Sequence, residues 1–425
     1  MAKNGRIAIM KSIRVLERVQ ETIENPALLE VSRLKPTAFT RCERGRMGFA
    51  DALCFMLDMC KTTLQTRLNR FYRLAKEETP ISQPAFTQLR ANFSHKPFEV
   101  MVRDLVREEY SGEEALPTWR GYHLFATDGS YLQLPFTLTL AKEFGVRGGG
   151  DRPGAGISVL YDVLHGWVLD AEIDRTDRNE RKSLERHIDF LVNELPHIVK
   201  HALLLLDRGY PSHDLVQKCT KAGLKFVVRC TNKQSFKAAD MAPVGDSVVK
   251  LRDGQVVRVV KFLLDSGEIE TLVTNVFDIP ESEFPSLYSM RWGVETMYHE
   301  LKRIIGVEKF SGKTPNSIRQ DFWASMVLLN VAAVFQNEAD EAIAQRHKGK
   351  PVKHVYRART SDLIVTLRDR LIFASLCGHP KLTNWELANI MRELSRAVSP
   401  RRPGRHFPRR PRPLAAARFN LKSVL

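Results

Sequence analysis

The pattern of apolar and polar positions changes twice along the chain. Apolar residues recur at helical spacing in the first part, for example in ranges 5–24, 46–61 and 63–76. From His123 onwards they fall into short runs bounded by glycine or charged residues, which are typical of strands. Behind the strands, helical spacing returns over most of range 311–398. The pattern therefore predicts an α/β protein with helical regions before and after a sheet.

The central region predicts a mixed sheet. HLFATDGSYLQLP predicts a strand that ends at Asp128-Gly129 and a return strand, and GISVLYDVLHGWVLDAEID predicts two strands joined at His165-Gly166. A helix over 179–195, the strand HALLLLD, the helix SHDLVQKCTKAG and the strand KFVVRC then alternate. Antiparallel strands followed by this alternation give a mixed sheet with helices packed against it. Range 231–278 carries further strand patterns and predicts a β-rich insertion.

A long helix is predicted from about residue 281 to residue 305, with an apolar seam on one side. A polar stripe borders this seam, formed by Tyr288, Arg291, Glu295 and Lys302. At the rim of a core, a carboxylate of such a stripe can face a cleft without complete desolvation. An ordinary salt-bridged surface, with Arg291 and Glu295 as an i, i+4 pair, explains the same pattern equally well.

The run LLLLDRGYPS raises the question of why a buried strand ends on Asp207. A lone aspartate in this position is usually a cap or turn residue. Asp128 ends another predicted strand, and if the two strands are neighbours, a helix across the sheet can bring Glu295 to the same place. Three carboxylates without a His or Cys cluster favour Mg²⁺ or Mn²⁺. Two such ions about 3.5–4 Å apart serve phosphodiester chemistry.

The helical N-terminal region is basic and is compatible with DNA binding and equally with a packing role. Ser82 is a candidate N-cap for a helix that begins near Pro84. The helical spacing over Ala85–Phe93 places Gln88 and Arg90 away from the apolar side. The sequence shows no clear helix-turn-helix motif.

The net charge of +16 and the pI of about 9.6 favour a polyanionic partner. Pro400–Leu425 holds seven Arg, one Lys and no acid, and so carries half of this net charge. Its prolines prevent a helix through Pro413. We therefore expect a flexible basic arm that neutralises phosphates; the alternative is a solvated tail without a ligand.

The composition predicts a cytoplasmic protein without a membrane span. No apolar run reaches the ~18 residues of a transmembrane helix, and the longest candidate, Ala324–Phe335, is short enough to be a buried helix. The basic N-terminus has no apolar signal core. The six cysteines form no CxxC pair, which argues against a zinc knuckle or a CxxC redox motif.

Three sequence blocks resemble those of the DDE transposases of bacterial insertion sequences. They are ATDGS around Asp128, LLLLDRGYPS around Asp207, and Tyr288-x2-Arg291-x3-Glu295-x6-Lys302. The third block meets the order and spacing of the Tyr-Arg-Glu-Lys signature, which marks the insertion-sequence-4-type group. The resemblance extends over about residues 120–340, roughly half of the chain.

This resemblance implies an RNase H-like catalytic core that is interrupted by an all-β insertion. The catalytic residues and metal ligands implied are Asp128, Asp207 and Glu295, which would hold two Mg²⁺ ions that Mn²⁺ can replace. The residues implied in DNA contact are Tyr288, Arg291, Lys302, Arg208 and Trp292. Trp292 would stack on a displaced base, although it also suits a plain core position.

The resemblance also implies an organisation of the chain. Its parts are a helical, DNA-binding region over 1–115, the catalytic core over 116–310 with the insertion at 231–278, a helical region over 311–398 and the basic arm over 399–425.

The activity implied is cut-and-paste DNA transposition. The protein would bind the terminal inverted repeats of its element and the target DNA as a homodimer in a synaptic complex, in the bacterial cytoplasm at the nucleoid. Metal-dependent cleavage would expose a 3′-OH, which then attacks target DNA. Two alternatives are an RNase H-like nuclease that cuts without joining and an inactive DNA-binding derivative.

Overall fold

A computed structural model describes residues 10–40, 47–58, 62–75, 79–111, 116–147, 151–231, 236–368 and 380–401. The expected basic arm lies outside the described residues from 402 onwards. No helix within the described ranges is long and apolar enough to cross a membrane. The chain divides into two compact units, which are taken separately below: a helical unit of residues 1–105, 134–140 and 303–425, and a sheet unit of residues 106–133 and 141–302.

The chain begins with helices, as the apolar spacing predicts. They are α1 (Met10–Glu24), α2 (Pro26–Ser32), α3 (Phe49–Leu57), α4 (Leu64–Ala75), α5 (Gln83–Arg90) and α6 (Lys96–Ser111). Ser82 is the N-cap of α5, and its side chain accepts a hydrogen bond from the Ala85 amide. Its predicted capping role is confirmed.

A 33-residue helix, α13 (Pro315–His347), forms the core of the helical unit. Thr314 caps it, and the Thr314 hydroxyl accepts from the Ser317 amide. The helix is buried on nearly every side between residues 317 and 339, because α1, α3 and later elements pack around it. This confirms that the apolar run Ala324–Phe335 is a buried helix. The later elements are β9 (Val355–Ala358), α14 (Thr360–Thr366), α15 (Pro380–Leu394) and β10 (Val398–Arg401).

Arg90 joins α5 to α13 through a buried network. Its Nη2 lies 3.0 Å from Asp321 Oδ1, and its Nε donates to Gln320 Oε1 over 3.0 Å. Its Nη1 donates to Ser311 Oγ, which also contacts Asp321. The arginine side chain is only 5% exposed. Arg90 therefore has a structural role, although its place in the helical pattern suggested an outward position.

The sheet unit is built on one eight-stranded sheet. Its strands are β1 (His123–Gln133), β2 (Gly154–Asp162), β3 (Val168–Asp174), β4 (Ala202–Leu206), β5 (Lys225–Cys230), β6 (Gly245–Lys250), β7 (Val256–Leu263) and β8 (Ile269–Thr274). The helices between them are α7 (Leu138–Phe144), α8 (Glu180–Glu194), α9 (His213–Ala222) and α10 (Lys237–Met241).

The strand order is β3-β2-β1-β4-β5-β8-β7-β6. The first three strands are antiparallel, whereas β1, β4 and β5 are mutually parallel. This arrangement confirms the expected α/β class with an RNase H-like core. The strands of range 231–278 extend the same sheet, since β8 pairs antiparallel with β5.

The predicted strand end at Asp128-Gly129 is wrong. β1 is one continuous strand through both residues, with Asp128 paired to Val159 and Gly129 to Ser158 of β2. Asp-Gly often marks a turn because glycine accepts a positive φ, but Gly129 is not among the glycines with positive φ. Its missing side chain leaves room for a neighbour: a Cβ at this position would lie 2.7 Å from Arg178 Nη2.

The prediction of one continuous helix over 281–305 is also wrong, because the helical segment is interrupted. It is divided into a 3₁₀ turn (Glu281–Glu283), α11 (Phe284–Ser289), α12 (Trp292–His299) and a π-helical turn (Glu300–Ile305). The break lies at Met290 and Arg291, whose amides make tight i→i−3 bonds. Near this break, the backbone at Gly293 lies close to Val163. A Cβ atom added to Gly293 would lie only 3.2 Å from the Val163 side chain.

A buried histidine fastens α8 to the sheet. His187 Nδ1 lies 2.7 Å from Asp170 Oδ2 on β3, and its Nε2 lies 3.0 Å from Ser158 Oγ on β2. The set has the composition of a hydrolase triad, but His187 and Ser158 are at most 1% exposed and no substrate can reach them. Its effect is to fix the position of α8 and of the loop before it.

Replacing Arg90 by methionine should destabilise the helical unit strongly. The change leaves the Asp321 carboxylate buried without its cationic partner, which typically costs about 3–5 kcal/mol. The free energy of unfolding from urea titrations would measure the loss. Arg14→Met, at an exposed position on α1, is the control and should change stability by no more than about 0.5 kcal/mol. A similarly small effect of Arg90→Met would contradict the structural role of Arg90.

Candidate functional site

The register of β1 and β4 places two aspartates side by side. Each β1 residue pairs with the residue 79 positions later, from His123 with Ala202 to Ala126 with Leu205. If this register is continued by two residues beyond Ala126 and Leu205, Asp128 lies directly opposite Asp207. Neighbouring strands lie about 4.8 Å apart, so the two aspartates stand next to each other at the point where β4 ends.

The two aspartates share the same local geometry. Asp128 Oδ1 accepts from the Gly129 amide over 2.8 Å, and Asp207 Oδ1 accepts from the Arg208 amide over 2.6 Å. In each carboxylate, one oxygen thus accepts a hydrogen bond from the following amide, and the other oxygen remains available. Both side chains are partly exposed at the end of a buried sheet.

Asp128 is electrostatically strained. The pKa of its carboxyl is raised to about 6, chiefly by burial. The negative charges of Glu295 and Asp207 also raise it, whereas the hydrogen bond from the Gly129 amide and the charge of Arg291 lower it. The hydroxyl of Tyr298 on α12 donates to the Asp128 backbone carbonyl over 2.7 Å. This bond ties α12, the helix that carries Glu295, to the middle of β1.

Glu295 projects from α12 towards this pair and is held by Arg291. Arg291 Nη2 donates to Glu295 Oε1 over 2.9 Å, and the arginine side chain is 5% exposed. Its Nε and Nη1 have no hydrogen-bond partner among the described residues. The salt bridge that the sequence left as an alternative is therefore present. It lies near Asp128 and Asp207 and interacts with their charges, unlike a pair on an ordinary surface.

The chemistry of the cluster suits a hard divalent cation. Its three acids offer only oxygen donors, and their mutual repulsion would be relieved by a cation between them. Within the described ranges, no three Asp, Glu, His or Cys side chains are gathered closely enough to hold a metal ion as they stand. The residues therefore fit the ion in donor type and charge, while Glu295 is engaged by Arg291.

Comparison with known families shows to which family the chain belongs. Residues 119–331, half of the chain, match the model of the family described as Transposase DDE domain, and this range includes all three acids. The chain belongs to this family. The predicted resemblance to DDE transposases is thereby confirmed.

Two individual proteins show how far the similarity extends. Transposase InsG for insertion sequence element IS4, from Escherichia coli (strain K12), is 24% identical over 242 residues, which are 51% of this chain and 52% of that protein. The match thus spans about half the length of this curated relative. A cryo-EM structure of the piggyBac transposase synaptic complex with hairpin DNA is 12% identical, with a TM-score of 0.48 over 92% of this chain and 84% of that chain.

The transposase signature residues differ in their exposure. Tyr288 is buried, and its hydroxyl donates to the backbone carbonyl of Leu206, just before Asp207. Lys302 is partly exposed and its Nζ donates to Ser130 Oγ over 2.7 Å. In this structure both side chains support the strands that carry the two aspartates.

Arg208 and Trp292 face the outside of the transposase core. Arg208 is exposed directly beside Asp207. Trp292 is 49% exposed, and the guanidinium of Arg291 lies 5.3 Å from its ring. Trp292 is therefore not the plain core residue that the sequence left open.

Three further groups near the acids were not recognised from the sequence. Glu270 on β8 is buried and pairs with Arg229 on β5 at 3.4 Å, and burial raises the pKa of its carboxyl. Tyr298 holds Asp128, as described above. Tyr210 is 2% exposed behind Asp207. Tyr210 and Tyr298 lie within the second and third sequence blocks, but the pattern does not reveal their contacts, and Glu270 lies outside all three blocks.

Removing the Tyr288 hydroxyl should lower stability modestly. Tyr288→Phe loses the hydrogen bond to Leu206 and should cost about 0.5–1.5 kcal/mol in the free energy of unfolding. Tyr131→Phe is the control, because the Tyr131 hydroxyl makes no hydrogen bond within the described part of the chain. Equal stability of Tyr288→Phe and the unmodified chain in urea would refute this supporting role.

Proposed function

We propose that the protein is an active DDE transposase that cuts and joins DNA in a metal-dependent reaction. The observation that carries this proposal is the level placement of Asp128 and Asp207 on adjacent parallel strands, with Glu295 directed towards them. The match to the DDE transposase family supports it. Its hydrolytic step would expose a 3′-OH at the transposon end, and a second displacement would join this end to target DNA.

The proposed metal ligands are Asp128, Asp207 and Glu295. Two Mg²⁺ ions, or Mn²⁺ in their place, would activate the attacking water or 3′-OH and stabilise the leaving oxygen. Arg291 would hold Glu295 in position until the site is loaded. Tyr298 and Tyr288 would keep the backbones beside the two aspartates fixed through their carbonyl contacts.

The proposed partner is double-stranded DNA, both the terminal inverted repeats and the target. The net charge of +16 supports a polyanionic partner. We propose that exposed Arg208 contacts a phosphate beside the cut and that exposed Trp292 stacks on a displaced base. Tyr288, Arg291 and Lys302 would reach the phosphates only with some change in their present internal contacts.

The remaining features of the proposal concern assembly and location. We propose a homodimer in a synaptic complex, a DNA-binding role for the helical region over 1–115 and for the basic arm over 399–425, and residence at the bacterial nucleoid. The domain limits 116–310, 231–278 and 311–398 belong to the same proposal. A size measurement of the protein with and without its end DNA would test the dimer.

Substitution of any one carboxylate should abolish cleavage and leave DNA binding intact. Purified Asp128→Asn, Asp207→Asn and Glu295→Gln would be incubated with the DNA that flanks the gene, in Mg²⁺ or Mn²⁺. Each change removes an anionic oxygen that the ions need, while the basic surface remains. Glu268→Gln, in the exposed turn between β7 and β8, is the control and should cut normally. Full cleavage by any carboxylate variant would remove that residue from the ligand set.

The same assay separates the proposal from its two rivals. Cut products without joined products would indicate a nuclease on the same fold. DNA binding without any cleavage by the unmodified chain would indicate an inactive derivative.

Neutralising Arg208 should weaken DNA binding in a salt-dependent manner. Arg208→Ala removes one phosphate contact, so the slope of log K against log salt should fall by about one unit. The control is Arg252→Ala, in the exposed turn between β6 and β7, which are the fourth and third strands from β4 in the sheet. Filter binding or fluorescence anisotropy over a salt series gives the slopes. Equal slopes for Arg208→Ala and the unmodified chain would exclude the contact.

A further inference from the structure

A fourth carboxylate, that of Glu180, lies against the residue that follows Asp128. Glu180 is the first residue of α8, whose N-cap is Asn179. A Cβ built on Gly129 would lie 2.8 Å from Glu180 Cδ and closer still to its Oε1. The glycine in the Asp128-Gly129 pair therefore provides the space that the Glu180 carboxylate occupies.

The same carboxylate also reaches the glycine that follows Asp207 and Arg208. A Cβ on Gly209 would lie 3.8 Å from Glu180 Oε2. One oxygen of Glu180 thus faces Gly129 in the strand β1, and the other faces Gly209. The carboxylate bridges the two segments that carry the proposed aspartate ligands.

Glu180 is not engaged elsewhere. The described residues offer it no hydrogen bond or ion pair, and its side chain is partly exposed. A helix-terminal glutamate usually faces solvent or caps its own helix, but the cap of α8 is Asn179, whose Oδ1 accepts from the Arg181 and Lys182 amides. Glu180 is therefore free to serve a ligand.

A buried hydroxyl marks the space between Glu180 and Asp128. Tyr210 is 2% exposed, its hydroxyl lies beside Thr127, and neither hydroxyl meets hydrogen-bond geometry within the described part of the chain. The negative charges of Asp128 and Glu180 both raise the pKa of Tyr210, after burial itself. A buried hydroxyl without a hydrogen-bond partner destabilises the fold unless a further polar group can bind beside it.

Glu180 approaches the site from the side of the sheet opposite to Glu295. Side chains alternate along β1: Ser130, two residues after Asp128, contacts Lys302, whereas Gly129 faces α8. The His187 contacts to Asp170 and Ser158 fix α8 on that side. The acids thus lie on both faces of the sheet, around the middle of β1 and the end of β4.

We propose that Glu180 is a further ligand of the divalent cation held by Asp128 and Asp207. The inference rests on the proposed function, since it takes the metal site of that proposal and adds a residue to it. Mg²⁺ and Mn²⁺ each take about six oxygen ligands. In Asp128, Asp207 and Glu295, one oxygen each is already bonded to an amide or to Arg291, so these three carboxylates leave few free oxygens for two ions. Glu180 supplies two more oxygens where the two aspartates meet.

Mn²⁺ binding measured directly provides the test. The full chain, bound to its end DNA, would be titrated with Mn²⁺, and free Mn²⁺ would be followed by electron paramagnetic resonance, with DNA alone subtracted. Glu180→Gln keeps the shape of the side chain and removes the charge, and it should weaken Mn²⁺ binding about tenfold or more. Glu185→Gln, at an exposed position on the same helix, should leave the affinity unchanged. Equal affinities of Glu180→Gln and the unmodified chain would overturn the assignment.

Gly129→Ala tests the same contact from the opposite partner. The added Cβ must displace the Glu180 carboxylate or Arg178, so Mn²⁺ binding should weaken here also. Combined with Glu180→Gln, it should add little to the loss. Additive losses would show that Gly129 acts independently of Glu180 and would count against the inference. Unfolding midpoints without metal verify that each variant is folded.

Asp207→Asn separates failure of this inference from failure of the proposed function. If Asp207→Asn weakens Mn²⁺ binding and Glu180→Gln does not, the metal site stands and only the fourth ligand is refuted. If the unmodified chain bound to DNA takes up no Mn²⁺ beyond the DNA itself, both proposals are refuted together.

Discussion

The parallel pairing of β1 with β4 is the constraint on which the rest of the candidate site depends. A shift of this register by one residue would turn Asp128 to the other face of the sheet and separate it from Asp207. Four consecutive leucines in β4 fill the core on both faces and so oppose such a shift. The apolar core thereby determines where the charges stand, although the charges themselves oppose folding.

Arg291 offsets part of that opposition. The Arg291 guanidinium is almost fully buried, and two of its nitrogen atoms have no hydrogen-bond partner within the described ranges, which would be strongly destabilising in an ordinary core. Here its charge lies among three carboxylates, so attraction to the cluster compensates for lost hydration. The same arrangement keeps Glu295 oriented along α12. Stability and readiness for a cation therefore depend on one side chain.

Local patterns predicted the elements that are governed by local forces. The buried strand before Asp207, the capped helix from Glu180 and the buried run of α13 all follow from apolar spacing and capping residues. The Asp128-Gly129 turn failed as a prediction because the glycine serves a side chain 51 positions away rather than its own φ angle. Arg90 failed for a similar reason, since its partners on α13 lie more than 200 residues further along the chain. Of the candidate site, the three acids could be found through their family blocks. Tyr210 lies inside the second block, but nothing in the pattern marks its buried hydroxyl, and Glu180 and Glu270 lie outside all three blocks and come near the acids only in the folded chain.

The long separation between paired strands also has a kinetic consequence. Closing the segment from Asp128 to Asp207 costs about 4 kcal/mol of chain entropy, which is offset only when the strands β1 and β4 pair. Contacts of such high sequence separation form late in folding. On a growing chain, β1 is synthesised long before β4, and α12 follows later still. The acids are therefore assembled only after most of the sheet unit has left the ribosome, and an incomplete chain cannot form the cluster.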